Sequence, residues 1–506
     1  MRRHTPRVLP TALATLTVAS LVAACGGGGS LQEAGNTTVA STAAPTTVPG
    51  ETTTTVAPST TVATPLDDLP TCPLEALEAA DGPVEITFWH GMTADLEVAL
   101  TRLTDEFNAS QDRVRVVLQN QGGYEDVLDK YLQSGSNSRP DLVQAPEYAV
   151  QVLRDSQSFV PVEACMVAAD FDAANLLPTT LEAYSTEGVQ WAMPFNVSNP
   201  ILYVNEVAFL AAGLDPTDPP SSLEELRAAS QAIVDSGAAQ YGFAIDTNFD
   251  SGGGWFIEQW FAKAGEFYAD QNNGRQAPAT RVLFGGPAGV EIYTFLQQMV
   301  NDGLAVNVGD NASGQDTFLK MADPNDRAAM TIGTSAALGT VVAALGGGLA
   351  PGLGPDDVTV AHMPGPGGSQ SVLIGGASLW VVDGSDAARV AASWEYVSYL
   401  VSAAVQSDWA ASTGYVPVNE GALALDPLAA TYATDPRYRV AYDSLLGTPN
   451  EPWNVGALLG PQREIRALTA QALAAVLQGA DPAESLADAA GKADGLLANY
   501  AALQAG

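Results

Sequence analysis

The sequence predicts an α/β protein built in two lobes. Three observations carry this. Strands and helices alternate from Val84 onward, the elements are spread over about 430 residues, and the chain closes on a helical segment. One hydrophobic core seldom serves so long a chain. Val84-Glu85-Ile86-Thr87-Phe88-Trp89 reads as a strand. Thr93 is placed to cap a helix whose Leu96, Leu100, Leu103 and Phe107 recur at helical spacing. Val114 to Leu118 is a second strand, Tyr124 to Leu132 a short helix, and Asp141 to Ala145 a third strand. Strand-helix-strand-helix-strand implies a parallel sheet with helices on its faces. Similar apolar runs follow at Ile201 to Asn205, Ala328 to Ile332, Val358 to His362 and Ala377 to Val382. At the C-terminus Ile465, Leu468, Leu473 and Leu477 are spaced for one helix face.

The charge narrows the partners. The chain has 506 residues, with 21 Lys and Arg against 57 Asp and Glu, a formal charge of −36. Its four lysines are Lys130, Lys263, Lys320 and Lys492. A phosphate backbone needs a basic face, so no nucleic-acid partner is expected. Nor is docking on anionic lipid through a polybasic patch.

Arg2, Arg3 and Arg7 precede an apolar stretch from Val8 to Leu21, broken by Pro10 and several Thr. That stretch is too short to span a bilayer and fits a signal peptide over residues 1–24. Leu21-Val22-Ala23-Ala24-Cys25 resembles the lipobox of bacterial lipoproteins. The resemblance implies that the Cys25 thiol is acylated and becomes the first mature residue. An ordinary signal peptide with an incidental Cys is the alternative. Gly26 to Ser30 follow as a flexible tether. Residues 26–71 hold 13 Thr, several Pro, no aromatic residue and no Lys or Arg. Such a segment cannot bury enough surface to offset the entropy of ordering, so residues 25–71 read as a lipidated Cys and a disordered stalk. Cleavage would leave 18 − 57 = −39. Export implies an oxidising compartment, so the remaining cysteines, Cys72 and Cys165, are expected to form a disulfide. A metal site from those two Cys and a distant His is the competing reading.

Catalytic signatures are mostly absent. His4 lies in the signal, leaving His90 and His362, and no HExxH, GxSxG or P-loop occurs. Asp246, Asn248 and Asp250 alternate as in a calcium loop, but Ser251 stands where the loop needs Gly and Ile257 where it needs Glu. No metal, cofactor or enzymatic activity is expected.

Five stretches resemble the extracellular solute-binding proteins that feed ABC importers, in particular the branch that binds glycerol-3-phosphate. They are Ile86 to Met92, Gly123-Tyr124-Glu125, Pro194 to Tyr203, Ile374 to Val381, and Thr413 to Pro417. They occur in the family's order over roughly residues 84 to 470. The resemblance implies a two-lobed periplasmic-binding-protein-like fold of type II, with a ligand cleft between lobes joined by a multi-strand hinge. The first lobe would hold residues 73–195 and 368–411, the second 196–367 and 412–506. Closure around ligand is a hinge motion, and the closed form is what the permease recognises.

The resemblance also implies a ligand set. Tyr124 and Tyr415 match residues that contact a phosphate, and Glu147 matches one that binds glycerol hydroxyls. A carboxylate accepts from two vicinal hydroxyls, which suits a diol or sugar. Ser198 matches a ligand-contacting Ser in the hinge segment. Ser335, ahead of a helical run, could present its hydroxyl and amide to a phosphate or simply cap the helix. Gly375 and Gly376 permit close backbone approach, or make a turn. Trp255, after three glycines, lies near where the family stacks an indole on its ligand. Trp89 is a candidate for the cleft wall, with a core position competing; Trp191, Trp260, Trp394 and Trp409 are left to packing.

One departure matters. The branch grips phosphate with an Arg shortly before a Gly, and here Ala457 or Leu458 occupies that position. Arg463 and Arg466 follow on the next helix, leaving no matched Arg in the cleft. A guanidinium fork is hard to replace for a dianion. The sequence therefore points to a monomeric, lipid-anchored substrate-binding protein on the outer face of the cell membrane. It would take a glycerol-phosphate-type compound or a sugar and deliver it to the transmembrane subunits of an ABC permease. A binder of neutral oligosaccharides is the alternative, and a secreted carbohydrate-active enzyme is the reading from another class.

Overall fold

The computed structural model describes residues 69–384 and 386–505. The signal peptide, Cys25 and nearly all of the Thr-rich stalk lie outside the described residues. Thirteen strands follow in chain order: β1 (Val84–His90), β2 (Val114–Asn120), β3 (Leu142–Pro146), β4 (Phe159–Val160), β5 (Ser185–Thr186), β6 (Val189–Gln190), β7 (Met193–Ser198), β8 (Pro200–Asn205), β9 (Tyr241–Ile245), β10 (Ala305–Asn307), β11 (Ala328–Thr334), β12 (Val358–His362) and β13 (Gly375–Val382). They form one sheet ordered β2-β1-β3-β13-β4, with β7 also paired to β13, and a second ordered β10-β9-β11-β8-β12. β5 and β6 make a separate small hairpin.

Parallel pairing holds only within each half. β1 runs parallel to β2 and β3, and β9 parallel to β10 and β11. β13 is antiparallel to β3, β4 and β7, and β8 is antiparallel to β11 and β12. The parallel arrangement expected for the first three strands is present as β2-β1-β3, and the antiparallel strands β13 and β7 extend that sheet. The physical reason is connectivity. The chain leaves the first sheet through β7 and enters the second through β8, with only Asn199 between them. It returns between β12 and β13. A strand that arrives from the other sheet need not follow the right-handed crossover that makes neighbours parallel.

Helices cover the sheets by burying one face. The helix Ala94–Ser110 turns Leu100, Leu103 and Phe107 inward, as their spacing predicts. Thr93 precedes it with extended backbone, but its hydroxyl makes no capping bond, so that expectation is corrected. The helix Gln462–Leu477 buries Ile465, Leu473, Val476 and Leu477, together with Arg466. Cys72 and Cys165 are disulfide-bonded and buried, closing a span of 93 residues. No helix among the described residues is long and apolar enough to cross a membrane.

Candidate functional site

The seam between the two sheets is where the polar residues gather. Asn196 on β7 is fully buried and organises the first-sheet side. Its Nδ2 donates to Tyr124 Oη at 2.6 Å, and its Oδ1 accepts from Gln144 Nε2 at 2.8 Å. Gln144 Oε1 in turn accepts from the Gly91 amide at 2.9 Å. Tyr124 Oη also lies 3.1 Å from Tyr415 Oη. Tyr124 begins the helix Tyr124–Gln133, where its sequence pattern places a helix start. It can come this close because a Cβ on Gly91 would stand 2.8 Å from its backbone nitrogen. Burial pushes both tyrosine hydroxyls up, so they stay protonated and can donate.

Glycines shape the other wall. Gly375 pairs with Ser198 at the end of the β7–β13 ladder. A Cβ on Gly375 would meet the Trp255 ring at 2.3 Å. Gly376 has φ +89° beside a register shift, and a Cβ there would be 2.0 Å from Asn196 O. Trp255 heads the helix Trp255–Ala264. The run ahead of it is glycine for a packing reason: a Cβ on Gly253 would lie 2.7 Å from Ala470 Cα, and one on Gly254 would lie 1.9 Å from Phe249 O. Ser335 donates its amide to Asn199 O at 2.9 Å. The cap of its turn is Thr334, whose hydroxyl accepts from the Ala336 amide, so the Ser335 hydroxyl is not the cap.

The charged centre is Glu147, at the start of the turn that follows β3. Its Oε1 accepts from Arg466 Nη1 at 2.9 Å. Arg466 spends its other face on Glu258, through Nε to Oε1 and Nη2 to Oε2, both at 2.8 Å. Asp250 Oδ1 stands 3.6 Å from Arg466 Nη1. Arg466 is 1% exposed. This corrects the expectation that Arg466 merely follows on a helix away from the site. Glu147 lies above the ordinary carboxylate range, because burial outweighs the pull of Arg466. Asp250 is pushed up to about 7 by burial and by the field of Glu147.

Among the described residues, five buried polar atoms around this seam have no hydrogen-bond partner: Trp255 Nε1, Tyr148 Oη, Tyr184 Oη, Ser335 Oγ and Asn199 Oδ1. Tyr148 lies under the Arg466 guanidinium, 5.2 Å from its carbon, and Tyr184 feels both Glu147 and Tyr415. A buried donor without a partner is costly, so spare capacity concentrated in one place invites a polar guest.

Of the residues singled out from sequence, the structure brings Tyr124, Glu147, Ser198, Trp255, Ser335, Gly375, Gly376 and Tyr415 to this seam. Trp89 is placed elsewhere. Its Nε1 donates to Gln119 Oε1 at 2.8 Å, and Lys130 Nζ sits 4.1 Å from its ring centroid. The sequence did not single out Asn196, Gln144, Tyr184 or Glu258, and it put Arg466 on a helix without a part in the cleft. Arg466 did leave a signal: it shares a helix face with Thr469, Leu473 and Val476, where a cation needs a buried partner. The Asp246 turn is closed internally. Its carboxylate accepts from the Asn248 and Gly252 amides, Ser251 Oγ and Asn311 Nδ2, which leaves the calcium-like spacing with a structural explanation.

Two α/β lobes with polar side chains from both meeting at their seam define the type II binding-protein architecture. The chain belongs to the bacterial extracellular solute-binding protein family, whose profile matches residues 102–439. The sn-glycerol-3-phosphate-binding periplasmic protein UgpB of Yersinia pseudotuberculosis is 30% identical over 423 residues, 82% of this chain and 93% of its own. Among solved structures, UgpB from Mycobacterium tuberculosis in complex with glycerophosphocholine aligns with a TM-score of 0.68 at 21% identity, over 83% of this chain and 99% of that one. The GacH receptor of Streptomyces glaucescens aligns with a TM-score of 0.67 at 19% identity, over 82% and 98%. Membership of this family places the protein outside the cytoplasm.

Proposed function

We propose that this protein is the substrate-binding component of an ABC importer, capturing a glycerophosphodiester or related polyol in the seam and presenting the closed form to the permease. The observation that carries this is the set of partnerless buried polar atoms at the seam, Tyr148 and Tyr184 beside Glu147 among them. Glu147 would accept from vicinal hydroxyls, Trp255 would lie flat against ligand carbons, and Tyr124, Tyr415, Ser198 and Ser335 would supply hydroxyls. Gly375 and Gly376 would let the ligand reach the backbone. The names of the relatives support a glycerol-phosphate ligand. The charge balance favours a diester or neutral polyol over a free dianion, because Arg466 is already neutralised by Glu258 and Glu147. That same saturation favours neutral oligosaccharides as the second reading.

In this reading residues 73–195 and 368–411 move as one lobe, and 196–367 and 412–506 as the other. The protein works as a monomer, held to the outer face of the cell membrane through lipid on Cys25, and performs no chemistry. Calorimetry of the exported protein with glycerol-3-phosphate, glycerophosphocholine, maltose and trehalose tests the ligand class. Binding of glycerophosphocholine with little affinity for glycerol-3-phosphate is expected, and silence across the panel overturns the reading. Turnover of any of these compounds would make it an enzyme instead. Cys25→Ala should release the protein from membranes; retention would refute the anchor.

A further inference from the structure

Away from the tyrosine cluster and the Glu147–Arg466 pair, one side chain stitches the two lobes together through main chain alone. Arg275 belongs to the segment between β9 and β10 of the second sheet. Its five N–H groups meet five backbone carbonyls. Nε donates to Gly456 O at 2.8 Å and Nη2 to Val455 O at 3.1 Å. The remaining donors cross the seam: Nη2 to Ala183 O at 3.3 Å, and Nη1 to Glu182 O at 3.4 Å and Ser185 O at 3.5 Å. Those three carbonyls lie at or just past the C-terminal end of the helix Pro178–Ala183, which leads into β7 of the first sheet. A helix end leaves its last carbonyls without partners and carries partial negative charge, so it is a natural seat for a cation.

Two features mark this contact. First, Arg275 is in no ion pair among the described residues, whereas Arg463, which also reaches across to the first lobe, pairs with Asp129. An enclosed guanidinium without a carboxylate is tolerable only while every donor has an acceptor. Second, its mount is strained. Gln271, Asn272 and Asn273 take φ of +55°, +53° and +60°, a left-handed run that non-glycine residues avoid. The turn is pressed onto the segment it serves: the Leu458 amide donates to Asn273 O at 2.8 Å, and a Cβ on Gly274 would be 2.3 Å from Leu458 O. The strained turn thus holds the fork rigidly on the second lobe, pointing at the first.

We propose that Arg275 is a closure latch, a guanidinium carried by the second lobe that caps the carbonyl end of the helix Pro178–Ala183 when the seam shuts and so stabilises the closed form without touching ligand. This rests on the reading of the seam as a cleft that opens and closes. Opening strips three of the five acceptors from Arg275, and water must replace them. The closed state therefore keeps a measurable population before ligand arrives, and apparent affinity scales with that population.

The test uses the full exported protein carrying Val98→Cys and Leu210→Cys, two exposed sites on helices of opposite lobes, labelled for single-molecule energy transfer. Ligand-free wild type should show a closed fraction. Arg275→Ala should lower the closed-to-open ratio about tenfold and raise the Kd for glycerophosphocholine by a similar factor through faster release. Arg275→Lys keeps the charge without the fork and should resemble Ala; it carries the comparison if Arg275→Ala does not fold. An unchanged ratio in the variant, or a wild type wholly open without ligand, overturns the latch. Failure of the wild type to bind any polyol would instead overturn the ligand reading, while the ligand-free ratio still decides the latch.

Discussion

Arg466 faces two carboxylates at hydrogen-bonding distance, and a third, Asp250, stands just beyond. Its bidentate hold on Glu258 fixes the guanidinium, so Glu147 is the carboxylate left facing the seam. Glu147→Ala should cut affinity for the ligand by tenfold or more, and Tyr124→Phe by roughly fivefold for one lost hydrogen bond. Both are read by titration calorimetry, with thermal unfolding showing that the fold survives. The same carboxylates set a pH dependence. Asp250, raised to about 7, holds a proton in the folded chain that the unfolded chain gives up near pH 4. The stabilisation from Asp250 is full below about pH 4 and is lost as pH rises toward about 7. Asp250 keeps 45% of its side-chain surface, so water trims its share. The Tm of ligand-free protein should fall between about pH 5 and pH 7.5, and Asp250→Asn should flatten that slope relative to wild type. Tyr124 and Glu147 were legible because they sit in short stretches shared with a family. The Arg466 partnership was not, because it spans 319 residues of sequence and exists only once the second lobe is packed.

At the scale of elements, strands with ordinary side chains were legible and strands interrupted for packing were not. β1, β2 and β12 lie where their apolar runs predict. β9 reads poorly because Gly242 breaks it, and that glycine is required: a Cβ would be 2.3 Å from Ser230 Cα on the covering helix. β7 carries Pro194, Asn196 and Ser198 and has no apolar run to mark it as a strand, yet all six of its residues are buried. Its polar groups are there to serve the seam. Gly375 offers a direct test of how the elements meet. Gly375→Ala should push the Trp255 indole off β13, abolish ligand binding and shift tryptophan fluorescence, with a smaller effect on stability. A second test concerns the staple between Cys72 and the helix Val162–Ala168. By the chain-entropy argument, its loss should lower stability by up to about 4–5 kcal/mol. Denaturant unfolding of the Cys72→Ser/Cys165→Ser double variant measures this, with no change expected in ligand affinity.

For the whole molecule, the strong acidity argues against nucleic-acid partners and against a field that would draw in a dianion. The two-lobed architecture was visible as alternation spread over too long a chain for one core. The traffic between sheets was not, because a single residue, Asn199, makes the outward crossing and a stretch with no strand of its own makes the return. The disulfide also has a mechanical meaning. Any pull on the chain ahead of Cys72 enters the folded body through a covalent link to the helix Val162–Ala168. The load is therefore borne near the first sheet and bypasses the β7–β8 crossing. A molecule tugged from its N-terminal end would therefore take the strain in the half that holds the first sheet.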